Sequence, residues 1–530
     1  MKYFKNKYIK LLVVFTFVMV GTIVRYSRSS EPLVESIELA TVLFSTGHSL
    51  SDADEILSNN RLISSKEIKE MLFRPDSPMD FFRDVKSFSF YDAHVSPLYY
   101  SFCNIGIRIF ENTPPIKVIK IISMIGSLLL LIGVFWCCRL LFCVNEVGML
   151  AVIFLCVSPI QIWLGSWGRP YSWWSATSIL STAALLWASE RESLKSWITY
   201  VLFSAMALYF HGLSIFLFIP HVLYIILRSK GDYRKYKNFL FSLGLIFLIC
   251  LPHVVNIFYY RFESSSENLS WIYQLNIALK YKLAHLNNVL ISGNFLTLQD
   301  AYPGHWMNTI LTIILSVLIV LGVKELLKKY SKEKSILIIS LYLVLPLSML
   351  ILDLLLGGGR VQVVRYLVPS SVITIILLSS YLYNKFKYSF IKLICLICLC
   401  IQGLSIYKVF TSEDYQFNDD FSHNVVYKIR KYLKKSEKYL VVSTGHVNLP
   451  LMLSLVVDDS VEFKFISEKS VNLDEIRKLN AKYELLFFTK DVGHIYEPYT
   501  SQYERVLDQL EGEFKFSPVG SHNLIKLSDD

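Results

Sequence analysis

The chain has 530 residues, with 53 Lys and Arg against 43 Asp and Glu for a formal charge of +10, and a mean hydropathy of +0.43. Hydrophobic residues make up 53% and charged residues 18%, whereas a soluble domain holds about 45–50% and about 25%. A soluble globular protein is excluded, and the bilayer is the main solvent. All nine cysteines lie in or beside apolar segments, so no disulfide framework is implied. Cys395 and Cys398 have redox-motif spacing but sit in the apolar run 393–401 and read as packed thiols.

In chain order, Lys2, Lys5, Lys7 and Lys10 precede an apolar run, 11–24, and Arg25 and Arg28 follow it directly without a small-residue cleavage site. It reads as a retained first helix, segment 1–24. A first loop, 25–96, follows. Spanning takes about 20 apolar residues, and the multi-pass region 97–410 offers stretches near 97–110, 118–141, 147–164, 171–188, 197–209, 213–227, 239–258, 307–322, 336–356, 366–382 and 390–406. With the first helix these make about twelve, for a polytopic α-helical membrane protein with about 11–12 transmembrane segments.

Lys and Arg collect in three later loops: Arg228 to Lys237, Lys324 to Lys334, and Lys385 to Lys392. Such loops and the lysine-rich N-terminus are expected on the cytoplasmic side. Segments 25–96 and 259–306 and the tail from 411 are then expected outside. Twelve crossings conflict with that parity, so one early stretch is expected to be short, re-entrant or interfacial: 97–110, among the shortest, or else one of the next two, 118–141 and 147–164. The basic charge flanks apolar runs without aromatic interleaving, which implies membrane lipids and no nucleic acid as partners.

The tail 411–530 changes character. Helices are expected at 425–433, 473–481 and 503–510, and strands at 439–443, 461–466 and 485–489, with a closing hairpin of 513–517 and 523–527. It reads as a small extracytoplasmic α/β domain without a glycine-rich phosphate loop. Thr444, Gly445 and His446 read as an ordinary turn.

Ionisable residues at membrane helix ends are costly and usually have a partner or a function. Those expected at the outer face are Glu35 and Glu38, Asp92 and His94, Arg169 and Tyr171, Tyr209 and His211, and Arg360, Arg365 and Tyr366. Arginines bind phosphate oxygens by paired hydrogen bonds, and a carboxylate can accept a proton from an attacking hydroxyl. The combination suits sugar transfer from a polyprenyl phosphate. Each residue also has a bland use. Asp92 can cap a helix, Arg169 can anchor a helix end by snorkelling, and the tyrosines fit an interfacial belt.

Four phrases resemble the bacterial glycosyltransferase family 39-like proteins, GT-C membrane enzymes related to protein O-mannosyltransferases and the lipid A aminoarabinose transferase. They are Asp92-Ala-His-Val-Ser-Pro-Leu-Tyr-Tyr100, Ser166-Trp-Gly-Arg-Pro-Tyr171, Leu208-Tyr-Phe-His211 and Arg365-Tyr-Leu-Val-Pro369. The resemblance implies an acidic residue soon after the first helix that serves as the catalytic base, and Glu38 in Glu35-Ser-Ile-Glu-Leu-Ala-Thr41 takes that position, with Ile37 where the family has Asp. Asp92 and His94 join it as catalytic candidates, although Val95 and Ser96 displace His94 from Pro97. Arg169, Tyr171, His211, Arg360, Arg365 and Tyr366 are the candidates for substrate and lipid phosphate. A divalent cation, Mg or Mn, is left open by the missing acidic partner. The expected activity is inverting transfer from a polyprenyl-phosphate sugar donor to a glycan, lipid or protein at the outer face of a bacterial cytoplasmic membrane. A flippase of lipid-linked saccharides, or a non-catalytic scaffold in envelope biogenesis, stays open. No internal repeat of the transporter kind is visible.

Overall fold

The structure is a computed structural model that describes residues 7–30, 34–57, 61–75, 97–229, 233–263, 306–411, 426, 429–430, 433, 439–443, 448–466, 472–488, 510, 514–518 and 524–528. It forms two compact units. One comprises Met1–Arg28, Asp92–Tyr99 and Lys120–Ser412, the other Ser29–Tyr91, Tyr100–Ile119 and Glu413–Asp530.

Every apolar stretch of the sequence is helical. The helices are α1 (Lys7–Ser30), α5 (Pro97–Ile109), α6 (Pro115–Phe142), α7 (Asn145–Cys156), α8 (Pro159–Ser166), α9 (Tyr171–Arg191), α10 (Leu194–Phe210), α11 (Phe218–Ser229, after a 3-10 turn Gly212–Leu217), α12 (Tyr233–Glu263), α13 (Trp306–Lys329), α14 (Lys332–Leu356), α15 (Val368–Lys385) and α16 (Ser389–Thr411). Among the described residues, seven helical stretches are long and apolar enough to cross a membrane, or eight if the bent pair α7–α8 is one broken span rather than a re-entrant loop. The protein is a multi-pass membrane protein. At 13 residues, α5 is about 20 Å long at 1.5 Å per residue, short of the ~30 Å hydrocarbon core. Of the two further stretches left open by parity, 118–141 lies in one long helix and 147–164 is bent.

Two stretches differ in form from an ordinary span. The run 147–164 is bent by 65° between α7 and α8. Helix α9 is rich in Ser and Thr, yet nearly all of it is buried, because other helices rather than lipid surround it. Several of its hydroxyls bond its own carbonyls: Ser175 donates to Tyr171 O at 2.8 Å and Thr177 to Trp173 O at 2.8 Å. Thr182 donates to Ser178 O at 3.1 Å and lies 3.1 Å from His221 Nε2. Tyr200 OH meets His221 Nδ1 at 3.2 Å, so the fully buried ring joins α9, α10 and α11.

Five ion pairs gather the basic loops at one end of this unit. They are Lys10–Glu146 (2.7 Å), Lys334–Glu190 (3.2 Å), Lys235–Glu192 (3.3 Å), Arg228–Glu333 (3.5 Å) and Lys385–Glu325 (2.9 Å). Each contributes little energy where exposed. Their meaning is topological, since they place the N-terminal lysine and all three basic loops together.

The α7–α8 break exposes the last carbonyls of α7, which cannot stay unsatisfied in an apolar surrounding. Arg25, 1% exposed on α1, supplies the donors. It donates to Leu155 O and Cys156 O at 3.1 Å each, to Gly21 O at 2.9 Å and to Ser127 Oγ at 2.9 Å. The approach requires a glycine at position 21, because a Cβ there would sit 2.6 Å from Cys156 O.

The second unit carries a six-stranded sheet of order β1-β3-β2-β4-β6-β5, with β1 Leu62–Ser64, β2 Tyr439–Ser443, β3 Glu462–Phe465, β4 Glu484–Phe488, β5 Lys515–Pro518 and β6 Leu524–Ser528. Strand β2 pairs in parallel with both β3 and β4, and β5 and β6 form the antiparallel hairpin. The first loop and the tail, separate in sequence, share this sheet, since β1 adds antiparallel to β3. Helix α18 (Leu473–Lys482) is capped by Asn472, whose side chain accepts from Asp474 N and Glu475 N. Helix α4 (Ser65–Leu72) packs on α17 (Asn448–Ser454), and Ser65 Oγ donates to Ser454 O at 3.0 Å. The helix expected at 503–510 and the turn 444–446 lie outside the described residues, as does most of 425–433.

Two outcomes are expected. Arg25→Met keeps the side-chain volume but orphans the α7 carbonyls, so thermal unfolding in detergent should show a loss of about 3 kcal/mol. In the second unit, Lys69 Nζ lies 2.8 Å from Asp459 Oδ1 and holds that carboxyl below its ordinary range. A depressed carboxyl adds stability above its unfolded value of about 3.9 and loses it on acidification. The gap in denaturation midpoint between wild type and Asp459→Asn should therefore be full near neutrality and close as pH falls through the depressed value.

Candidate functional site

Helix α8 begins with Pro159 and is buried along its whole length. Its C-cap, Trp167, is extended, and the chain reverses before α9 begins after Pro170. The reversal is a three-residue turn in which Arg169 N donates to Trp167 O at 2.7 Å. Helix α6 clamps it. Ser123 Oγ donates to Arg169 O at 3.0 Å, and since its one proton is used there, Tyr99 OH donates to Ser123 Oγ at 2.7 Å. Ser172 Oγ donates to Ser123 O at 2.7 Å and Trp173 Nε1 to Ile122 O at 2.8 Å. Gly126 permits this closeness, because a Cβ there would lie 2.6 Å from Trp173 Cδ1.

From this turn a chain of ring contacts runs through the site. Trp163 stacks on Trp167 (centroids 4.3 Å apart, planes 23°) and Trp167 on Tyr171 (5.4 Å, 13°). Tyr171 lies 5.8 Å from His211, which stacks on Trp174 at 4.2 Å and meets Tyr366 edge-on at 5.9 Å. The Arg365 guanidinium stands 5.7 Å from the Tyr366 ring centre. Four candidates from three separate stretches, Tyr171, His211, Arg365 and Tyr366, are thus joined, and Arg169 lies in the turn between Trp167 and Tyr171.

His211 ends α10 in an extended conformation and starts the next 3-10 turn, with Nδ1 accepting from Leu213 N at 3.2 Å. The neutral ring then carries its proton on Nε2 and is a donor there. Its stacking partner Trp174 is fixed by Nε1 donating to Ser214 Oγ at 2.8 Å, and Ser214 Oγ donates on to Ala207 O at 2.7 Å.

Arg360 has a different position. Asp353, with no exposed side-chain surface, accepts from the Arg360 guanidinium at 3.0 Å, Arg360 N at 2.9 Å and Val361 N at 3.0 Å. Gly357, at φ +70°, begins the loop that makes this possible. Arg360 therefore shapes the loop that presents Arg365. The sequence reading did not single out Asp353, although an acid inside an apolar helix seven residues before an arginine is a readable signal. It also passed over Trp163, Trp167 and Trp174. The four-residue spacing of Trp163, Trp167 and Tyr171 hints at stacking, but the contact from Trp167 to Tyr171 depends on the turn.

Glu38 lies in the second unit on α2 (Ser36–Ser45) and is 2% exposed, so it is not a solvated surface acid. Its Oε2 accepts from Glu35 N at 3.1 Å, one half of a capping box with Glu35. Asp92 and His94 lie outside the described residues. Among the described residues, no three His, Cys, Asp or Glu side chains form a group that could hold a metal ion.

Comparison with known proteins adds the family context. Residues 94–256 match the family described as dolichyl-phosphate-mannose-protein mannosyltransferase, a stretch that includes Arg169, Tyr171 and His211. No curated protein matches the sequence. Among solved structures, the archaeal oligosaccharyltransferase AglB from Archaeoglobus fulgidus, in complex with an inhibitory peptide and a dolichol-phosphate, is similar over 99% of this chain and 74% of its own, with TM-score 0.50 and 12% identity. The mycobacterial arabinofuranosyltransferase AftD is similar over 98% of this chain and 40% of its own, with TM-score 0.50 and 10% identity. ArnT from Cupriavidus metallidurans, bound to undecaprenyl phosphate, aligns over 97% of both chains with TM-score 0.41 and 11% identity. At these identities the likeness concerns the fold alone.

Asp353→Asn should test the loop. It leaves the Arg360 charge without its carboxylate, and breaking a buried pair from one side costs about 3 kcal/mol or more. The expected result is a lowered unfolding temperature in detergent, with Asp353→Asn combined with Arg360→Met recovering part of the loss.

Proposed function

We propose that this chain is a membrane glycosyltransferase of the GT-C fold, whose sugar comes from a polyprenyl-phosphate donor and passes to a hydroxyl of a glycan, lipid or protein acceptor. The observation that carries the reading is the convergence of His211 and Arg365 on one aromatic cluster, with Arg169 in the turn between two of its rings, Trp167 and Tyr171. Arginine and an Nε2-protonated histidine are donors only, and a phosphate offers acceptors only. A donor-lined, ring-walled site suits a phosphate carried on a lipid.

In the reaction, the acceptor oxygen attacks the anomeric carbon from the face opposite the phosphate and the configuration inverts. The bond from that carbon to the phosphate oxygen breaks, and its electron pair leaves with the polyprenyl phosphate. Arg365 and Arg169 offset the charge that develops there, an electrostatic effect that is often the largest catalytic contribution. Glu38 accepts the proton from the acceptor hydroxyl, with Asp92 and His94 as further candidates for the proton path. The basic end of the helical unit faces the cytoplasm of a bacterial cell by the charge rule. The reaction and the α/β sheet then belong to the outer side.

The test uses protein in nanodiscs, a panel of polyprenyl-phosphate sugars, and release of free polyprenyl phosphate as the readout, with and without Mg or Mn and a chelator. Wild type should release it. Gln at position 38 can still accept from Glu35 N, so the capping box survives, and Glu38→Gln should slow release by about 10²–10⁴. Arg365→Ala should slow it by about 10². Glu38→Gln activity within a fewfold of wild type would remove Glu38 from the role of base. Binding of a lipid-linked sugar without any release would point to a flippase instead.

A further inference from the structure

Trp167 is 3% exposed, and its indole Nε1 makes no hydrogen bond among the described residues. Two tryptophan N–H groups beside this turn are paired, Trp173 with Ile122 O and Trp174 with Ser214 Oγ, while Trp197 Nε1, on α10, is the other buried indole N–H without a partner among the described residues. Leaving a buried donor unpaired is unfavourable, and native structures rarely keep one without a use. The Trp167 ring surface is already engaged by Trp163 and Tyr171. A ligand therefore has no free ring face to stack on, and the polar edge is what Trp167 can offer.

From this we propose that the Trp167 indole N–H is held in reserve as a donor to an oxygen of the polyprenyl phosphate. The inference rests on the donor reading given above and deepens it. The indole is a donor without acceptor capacity, as are the Arg169 guanidinium two residues on and the Nε2 side of His211 in the same ring chain. Sugar hydroxyls both donate and accept, so a donor-only set leaves their protons unserved. A phosphate carries acceptors alone and matches it. The turn fixes the edge in place: Arg169 N bonds Trp167 O, and Ser123 holds Arg169 O. The ligand oxygen thus completes a valence that the fold leaves open, at the expense of stability in the free protein.

The proposal makes opposite demands on stability and binding. In nanodiscs, Trp167→Phe keeps the stacked ring and deletes an unpaired N–H, so its unfolding temperature should equal or exceed that of wild type. Its affinity for polyprenyl phosphate should fall about tenfold or more, as loss of a hydrogen bond to a charged group predicts. Trp173→Phe is the contrast, because it deletes a paired N–H and should unfold at a lower temperature. Inorganic phosphate added as competitor separates the sources. Competition in wild type that weakens in Trp167→Phe assigns the N–H to the phosphate group itself, while loss of lipid binding without competition assigns it to phosphate presented by the lipid. Wild-type affinity in Trp167→Phe overturns the proposal, as does a fall in its unfolding temperature like that of Trp173→Phe. If wild type binds no polyprenyl phosphate, the donor reading itself fails, which is a separate outcome.

Discussion

The arginine at position 25 closes the sharp break between α7 and α8, where the helical unit interrupts its own backbone ladder. A bilayer helix can bend by 65° only if the carbonyls freed at the bend find donors. The guanidinium of Arg25 reaches Leu155 O and Cys156 O and binds Ser127 on α6 with its remaining edge. That holds α8 in place, and α8 carries Trp163 and leads into Trp167. The ring chain that follows depends on this bend, because Trp167 meets Tyr171 only across the turn that α8 delivers.

Polar groups elsewhere in the unit obey the same constraint in two ways. At the basic end, lysines and arginines of separate loops pair with glutamates at neighbouring helix ends. In the interior, α9 spends its hydroxyls on its own carbonyls and on His221. A helix too polar for lipid is tolerated because its neighbours cover it.

The functional reading joins these strands. A GT-C glycosyltransferase must hold an anionic leaving group while keeping water and charge from spreading into the bilayer. Aromatic walls exclude water, and donors fixed by backbone contacts need no reorganisation when charge develops. His211 illustrates the economy, since the Leu213 N–H that fixes its tautomer also begins the next turn. Arg360 is used differently from Arg365, although the two are five residues apart and alike in sequence. A buried carboxylate at Asp353 draws one into structure, and the other is left beside Tyr366.

Apolar run length and the placement of lysines were enough to locate the helices described in the membrane region and to group the basic loops. Those are local properties, set by hydrophobic periodicity and by the cost of charge in lipid. Alternation in the tail likewise located β2, β3 and β4, but not that β1 from the first loop would join them, because strand pairing is a long-range choice. Motif phrases named Arg169, Tyr171, His211, Arg365 and Tyr366 singly. Their convergence, the diversion of Arg360 to Asp353, the capping box around Glu38 and the open valence at Trp167 were decided by the tertiary structure alone. Contacts between distant segments and the accounting of buried hydrogen bonds exist only once helices pack.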